Sequence, residues 1–73
     1  DPKYPEAIFN LGLALRNLNR IDDALKAFRR AAALAPDSPQ AQYALGMTLR
    51  DKGDAAGARL ALDRAAALSR QNK

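Results

Sequence analysis

The sequence predicts an all-α fold made of one helical hairpin present twice, with four antiparallel helices in total. Three observations carry that prediction. The segment Arg30 to Leu34, "RAAAL", recurs as Arg64 to Leu68, and shifting residues 5–38 by 34 positions gives thirteen identities in 34 places, including Pro5/Pro39, Leu11-Gly12/Leu45-Gly46 and Leu15-Arg16/Leu49-Arg50. Ala, Leu and Arg dominate, whereas β-branched residues are reduced to Ile8, Ile21 and Thr48, a composition that favours helices and disfavours strands. Within each copy the apolar residues recur at three- and four-residue steps, the period of a helix with one buried face.

In the first helix of copy one that face is Ile8, Leu11, Gly12, Leu15 and Leu18. In the second it is Ala24, Leu25, Phe28, Ala31 and Ala32. Helices are expected near residues 5–18, 22–34, 39–52 and 55–70. The punctuation agrees: Ser38 is placed as an N-cap, with Pro39 in the first turn where its missing N–H is not needed. Gly53 suits a left-handed helix end, Asn19 stands at the same repeat position, and Asp54 is placed to cap the following helix. Pro36 ends the second helix. Gly12 and Gly46 each weaken a helix interior by about 1 kcal/mol, which close contact with Ala24 and Ala58 of the neighbouring helix would offset. Gly57 has no such partner in the pattern.

The 34-residue period and its residues resemble the tetratricopeptide repeat, with pattern W-x2-L-G-x2-Y, A-x3-F and P. Copy one reads Ile8-x2-Leu11-Gly12-x2-Leu15, Ala24-x3-Phe28, Pro36. Copy two reads Gln42-x2-Leu45-Gly46-x2-Leu49 and Ala58-x3-Leu62, with Arg70 in place of the proline. The resemblance covers residues 5–72 and implies a right-handed α-solenoid, with one repeat at 5–38, a second at 39–72, and residues 1–4 as the tail of a preceding repeat in a longer array. Arg59 in place of Leu25, together with Arg70, makes copy two resemble a last repeat. Leu60, Leu62 and Leu68 are then expected to form an apolar flank, and with it marginal stability or self-association through the last helix.

Several function classes recede on composition. With no cysteine or histidine the 73 residues have no disulfide, no thiolate or imidazole metal site and no histidine base. Ser38 and Ser69 sit at helix ends without a base, and the adjacent Asp22 and Asp23 point to different sides of a helix start, so no enzyme and no cofactor are expected. No apolar run reaches the ~18–20 residues that span a bilayer, and the chain reads as soluble, cytoplasm being favoured slightly over periplasm with the compartment open. The net charge of +4 and pI near 10.0 favour acidic partners without choosing among them.

The resemblance implies a protein-interaction module whose first helices line a concave groove. Each first helix carries a second stripe besides its core face. The groove candidates on these stripes are Phe9, Leu13, Arg16 and Asn17, then Tyr43, Met47, Arg50 and Asp51, with Glu6 and Gln40 beside them. Packing of the first helices against each other accounts for the apolar members equally well. Arg16 and Arg50, one period apart, suit carboxylates or phosphates in bidentate geometry. The expected partner is therefore another protein or peptide, extended or helical, with apolar anchors and acidic flanks. The lysine–asparagine–arginine clamp by which some family members hold a C-terminal carboxylate is not reproduced: Phe9 and Tyr43 stand at its lysine place, and Asn10 is followed by Ala44. Nucleic-acid binding through Arg20, Lys26, Arg29, Arg30 and Arg64 ranks below, because the interleaved aromatics that single strands stack on are absent from that surface.

Overall fold

The computed structural model describes residues 4–71 and is helical apart from three short connections. Helix α1 runs Pro5–Asn17, α2 Ile21–Leu34, α3 Pro39–Lys52 and α4 Ala55–Gln71. The expected tail of a preceding repeat lies outside the described residues except for Tyr4. Each connection is too short to do other than fold consecutive helices back on each other.

The helix ends form as their residues dictate. The Ser38 hydroxyl accepts a hydrogen bond from the Ala41 N–H at 3.3 Å, and the Asp54 carboxylate accepts one from the Gly57 N–H at 2.9 Å. Gly53 and Asn19 adopt left-handed conformations with φ of 96° and 62°. The next residue in each case closes the helix: the Arg20 N–H donates to the Leu15 carbonyl and the Asp54 N–H to the Leu49 carbonyl. The same chain reversal is thus made twice, with asparagine tolerating in copy one what glycine adopts freely in copy two. A Cβ at Gly57 would come within 2.5 Å of the capping Asp54 carboxylate, the end of an exposed side chain that can turn aside, so Gly57 still has no packing partner that requires it.

The helix pairs α1–α2 and α3–α4 form two hairpins, joined by packing of α2 on α3. The Cα trace measures 33 × 30 × 16 Å. Helix Cα atoms lie about 2.3 Å from the axis and packed axes stand about 8–10 Å apart, so a Cα depth of 16 Å holds two layers of helices and encloses none on all sides. Helix α2 comes closest. Its Ala24, Leu25, Ala27, Phe28, Ala31 and Ala32 are all buried, between Ile8 of α1 on one side and Ala41, Ala44 and Leu49 of α3 on the other. Alanine dominates this core, which lets the helix axes approach closely. Phe28 fills the centre, fully buried, with its ring centroid 5.6 Å from that of Phe9.

Two expectations are revised. Leu11 and Leu18 do not join the core and are 54% and 69% exposed. Leu18 stands past the last turn of α1, where the chain leaves the helix, and Leu11 faces a flank of α1 that no other helix covers among the described residues. The nearest approach at Gly12 is made by the Phe28 ring, 2.6 Å from where a Cβ would stand, rather than by Ala24; at Gly46 the Leu62 side chain comes nearest, and the expected contact with Ala58 is present through its carbonyl at 3.1 Å.

Candidate functional site

The second stripes of α1 and α3 lie side by side because α2 holds both helices against its two faces. Phe9, Leu13 and Arg16 of α1 and Tyr43 and Met47 of α3 thereby line a single open cleft of about 740 Å³. The far wall is α4, which contributes Leu62, Ala65, Ala66 and Ser69. Tyr43 is 56% exposed, and Leu13 is also exposed, so neither is consumed in packing α1 against α3. Phe9 serves both purposes: half-buried, it tilts against Phe28 and packs into the core while its remaining surface faces the cleft. The lining is apolar except for Arg16, Gln40 and Ser69.

Arg16 is not an unpaired cation. Its Nε donates to the Asp51 carboxylate at 2.7 Å, across the boundary between the repeats. This bond exists because Asn17 of copy one is replaced by aspartate in copy two, where the stacking of α3 on α1 brings residue 51 beside residue 16. Asn17 and Asp51 border a second, shallower depression with Arg16, Asn19 and Ile21. Arg50, exposed on α3, lines neither depression and pairs with no carboxylate among the described residues. Of the eight groove candidates, five therefore meet at the cleft, Asn17 and Asp51 line the second depression, and Arg50 stands apart. The α4 wall was not among the candidates, although Leu62 was expected to be part of an apolar flank.

A second ion pair across the repeat boundary joins Lys52 Nζ to Asp22 at 2.5 Å. The Lys52 hydrogen bond and charge hold the Asp22 carboxyl below its ordinary pKa, with Lys26 adding slightly to the effect. Asp23 pairs with Arg20 at 2.7 Å within its own helix start. The two aspartates thus fasten helix ends. Lys26, Arg29, Arg30 and Arg64 are all exposed on second helices, while Phe28 beneath them is buried. Among the described residues no three His, Cys, Asp or Glu side chains converge as for a metal, and no helix is long and apolar enough to cross a membrane.

A duplicated helical hairpin with a common period and a shared junction defines a helical-repeat protein. A tetratricopeptide repeat model matches residues 9–73, and the chain belongs to the tetratricopeptide repeat family. The solved structure MamA MSR-1 C2 superimposes with a TM-score of 0.93 over 100% of this chain and 42% of its own, at 27% sequence identity. The chain therefore spans less than half of that structure's length. No curated protein sequence matches it. In general the family provides scaffolds for protein–protein interaction.

Proposed function

We propose that the chain binds a segment of a partner protein, extended or helical, in the cleft between α1, α3 and α4, with apolar side chains of the segment as anchors. The observation that supports this reading is the exposure of Tyr43 and Leu13 beside Met47 in one concave, largely apolar surface. Apolar side chains gathered in a cleft gain most from covering by other apolar groups, and a few aromatic anchors carry most of the affinity of such interfaces. Acidic flanks on the segment would compete with Asp51 for Arg16, the cation of the cleft lining, because Arg50 stands outside the cleft.

The test is an amide chemical-shift titration with a pool of acidic-aliphatic peptides. Shifts are expected at Leu13, Tyr43 and Met47, and Tyr43→Ala is expected to weaken binding on the order of tenfold, equivalent to about 1.4 kcal/mol. Tyr43 is exposed enough for the fold to survive its loss. Shifts confined to Arg59, Leu60 and Leu68 would overturn the cleft reading.

A specific observation favours a second reading, self-association through the last helix. Leu25 and Ala32 are buried against α3, whereas their repeat equivalents Arg59 and Ala66 on α4 are exposed, and Leu60 is 64% exposed. A sedimentation profile that stays monomeric up to high concentration would remove it.

A further inference from the structure

A further depression adjoins the cleft and lies at the junction of the two repeats. Glu6, Phe9 and Asn10 of α1 stand across from Gln40 and Ala41 of α3, over a floor that includes Ala31 of α2, and together they surround about 420 Å³. Phe9 and Gln40 line the cleft as well, so the two spaces share a wall. Three packed helices form this depression, and it is present with α3 already seated on α2.

Glu6 is the one charged side chain in that lining among the described residues. It is exposed and pairs with no cation among them. Its repeat equivalent Gln40 also stays exposed, although Phe9 of the neighbouring first helix stands beside it, so this repeat position keeps its water when repeats stack. A carboxylate in the first turn of α1 suits the positive end of the helix. Yet α3 starts with Gln40 in the same place, has no acidic residue in its first turn and still forms 14 residues of helix. Helix formation alone therefore does not account for the charge. The cations lie elsewhere: Lys26, Arg29 and Arg30 are exposed on α2 outside this lining, and Arg16, at the other end of the α1 stripe, holds Asp51.

We infer that this depression is a subsite for a cationic side chain, Lys or Arg, of an extended segment bound in the cleft, with Glu6 as its carboxylate partner and Asn10, one turn further along α1, beside it. The inference rests on the cleft reading and adds charge and register to it. Seven residues of α1 separate Glu6 from Leu13, about 10 Å at a rise of ~1.5 Å per residue, and an extended chain covers that distance in about three residues. The segment thus carries its basic residue about three positions from the apolar anchor at Leu13, on the side away from Arg16. Its charges run in one order, basic toward Glu6 and acidic toward Arg16, and a segment with the two exchanged meets like charge at both ends.

The probes are capped peptides of about ten residues with fixed apolar anchors and Lys, Ala or Glu three positions from them. One series places that residue on the N-terminal side and the other on the C-terminal side, because either chain direction fits the cleft. In one of the two series the Lys peptide is expected to bind about threefold more tightly than the Ala peptide and about tenfold more tightly than the Glu peptide, the scale of an exposed ion pair. It should add amide shifts at Glu6, Asn10 and Ala41 to those at Leu13, Tyr43 and Met47. The net charge of +4 by itself favours the Glu peptide, so a preference for Lys marks a local contact. Glu6→Gln is expected to remove the difference between the Lys and Ala peptides, and Glu6→Lys to reverse the order of the Lys and Glu peptides. Both substitutions are at an exposed position, and circular dichroism checks that the helices persist. Equal affinities of the three peptides in both series, or a Lys preference that survives Glu6→Gln, would overturn the subsite and leave the cleft standing. Absence of shifts at Leu13, Tyr43 and Met47 with the Ala peptides would overturn the cleft reading and the subsite with it.

Discussion

Replacing Gly12 by alanine sets two effects of known sign against each other. Alanine gains about 1 kcal/mol of helix propensity over glycine in mid-helix. Its methyl group, however, would stand 2.6–2.9 Å from three carbons of the Phe28 ring. That ring is fully buried, lies in one cluster with Ala24 and Ala44, and has the Phe9 ring 5.6 Å away, so it has little space to retreat into. Overpacking a rigid core costs about 1–3 kcal/mol, and a wedged ring belongs at the upper end. The net expectation is a destabilisation of about 1–2 kcal/mol, or roughly 5–15 °C in Tm for a domain of this size. Urea and thermal unfolding followed by circular dichroism measure it. A double-mutant cycle with Phe28→Ala, which removes the ring atoms that a Cβ at Gly12 would meet, isolates the cause. The pair should recover about 1 kcal/mol relative to the sum of the single changes. A stabilised Gly12→Ala variant, or strictly additive energies, would refute the view that this glycine exists to admit the ring.

Three further outcomes follow from the same geometry. Gln42 is only 8% exposed and its Oε1 has no hydrogen-bond partner among the described residues, so Gln42→Met should stabilise the fold by about 1–2 kcal/mol, read from the urea midpoint. The Arg16–Asp51 pair is partly solvated, and a double-mutant cycle should give a coupling of about 0.5–1 kcal/mol that declines between low and high salt; a coupling indifferent to salt would contradict its exposure. Asp22 has a folded-state pKa below its unfolded value, so its contribution is complete above the unfolded pKa of about 4 and is lost as pH falls through the folded value. Lys52→Met should therefore remove part of the pH dependence of stability below about pH 4 and leave the dependence above pH 5 unchanged, as measured by urea unfolding across that range.

The helices and their ends were legible because they depend on neighbours in sequence. Ser38 before Pro39, Asn19 and Gly53 one period apart, and the apolar stripe through Leu25 and Phe28 each act within a turn or two of chain. Leu11 shows where this stops. Its periodicity marks it as apolar and on the face of Ile8, but burial requires a second surface, and sequence periodicity does not tell whether one is present. Leu45 has such a surface in α2; Leu11 has none among the described residues.

The candidate site divides in the same way. The stripe Phe9, Leu13, Tyr43 and Met47 followed from helical spacing, and these residues do meet in one cleft. That α4 supplies the far wall, and that Arg16 is held by Asp51, depended on how the two hairpins stack.

By itself, then, the sequence determined the duplication, the four helices, their caps and the family. These are encoded by short-range chemistry and by a period that the stacking of repeats preserves. The tertiary structure alone decided which apolar residues remain open, which cations are already paired, and that Gly12 faces the Phe28 ring. Each of these depends on distances between residues far apart in the chain, and those distances are fixed only when α2 has packed against both α1 and α3.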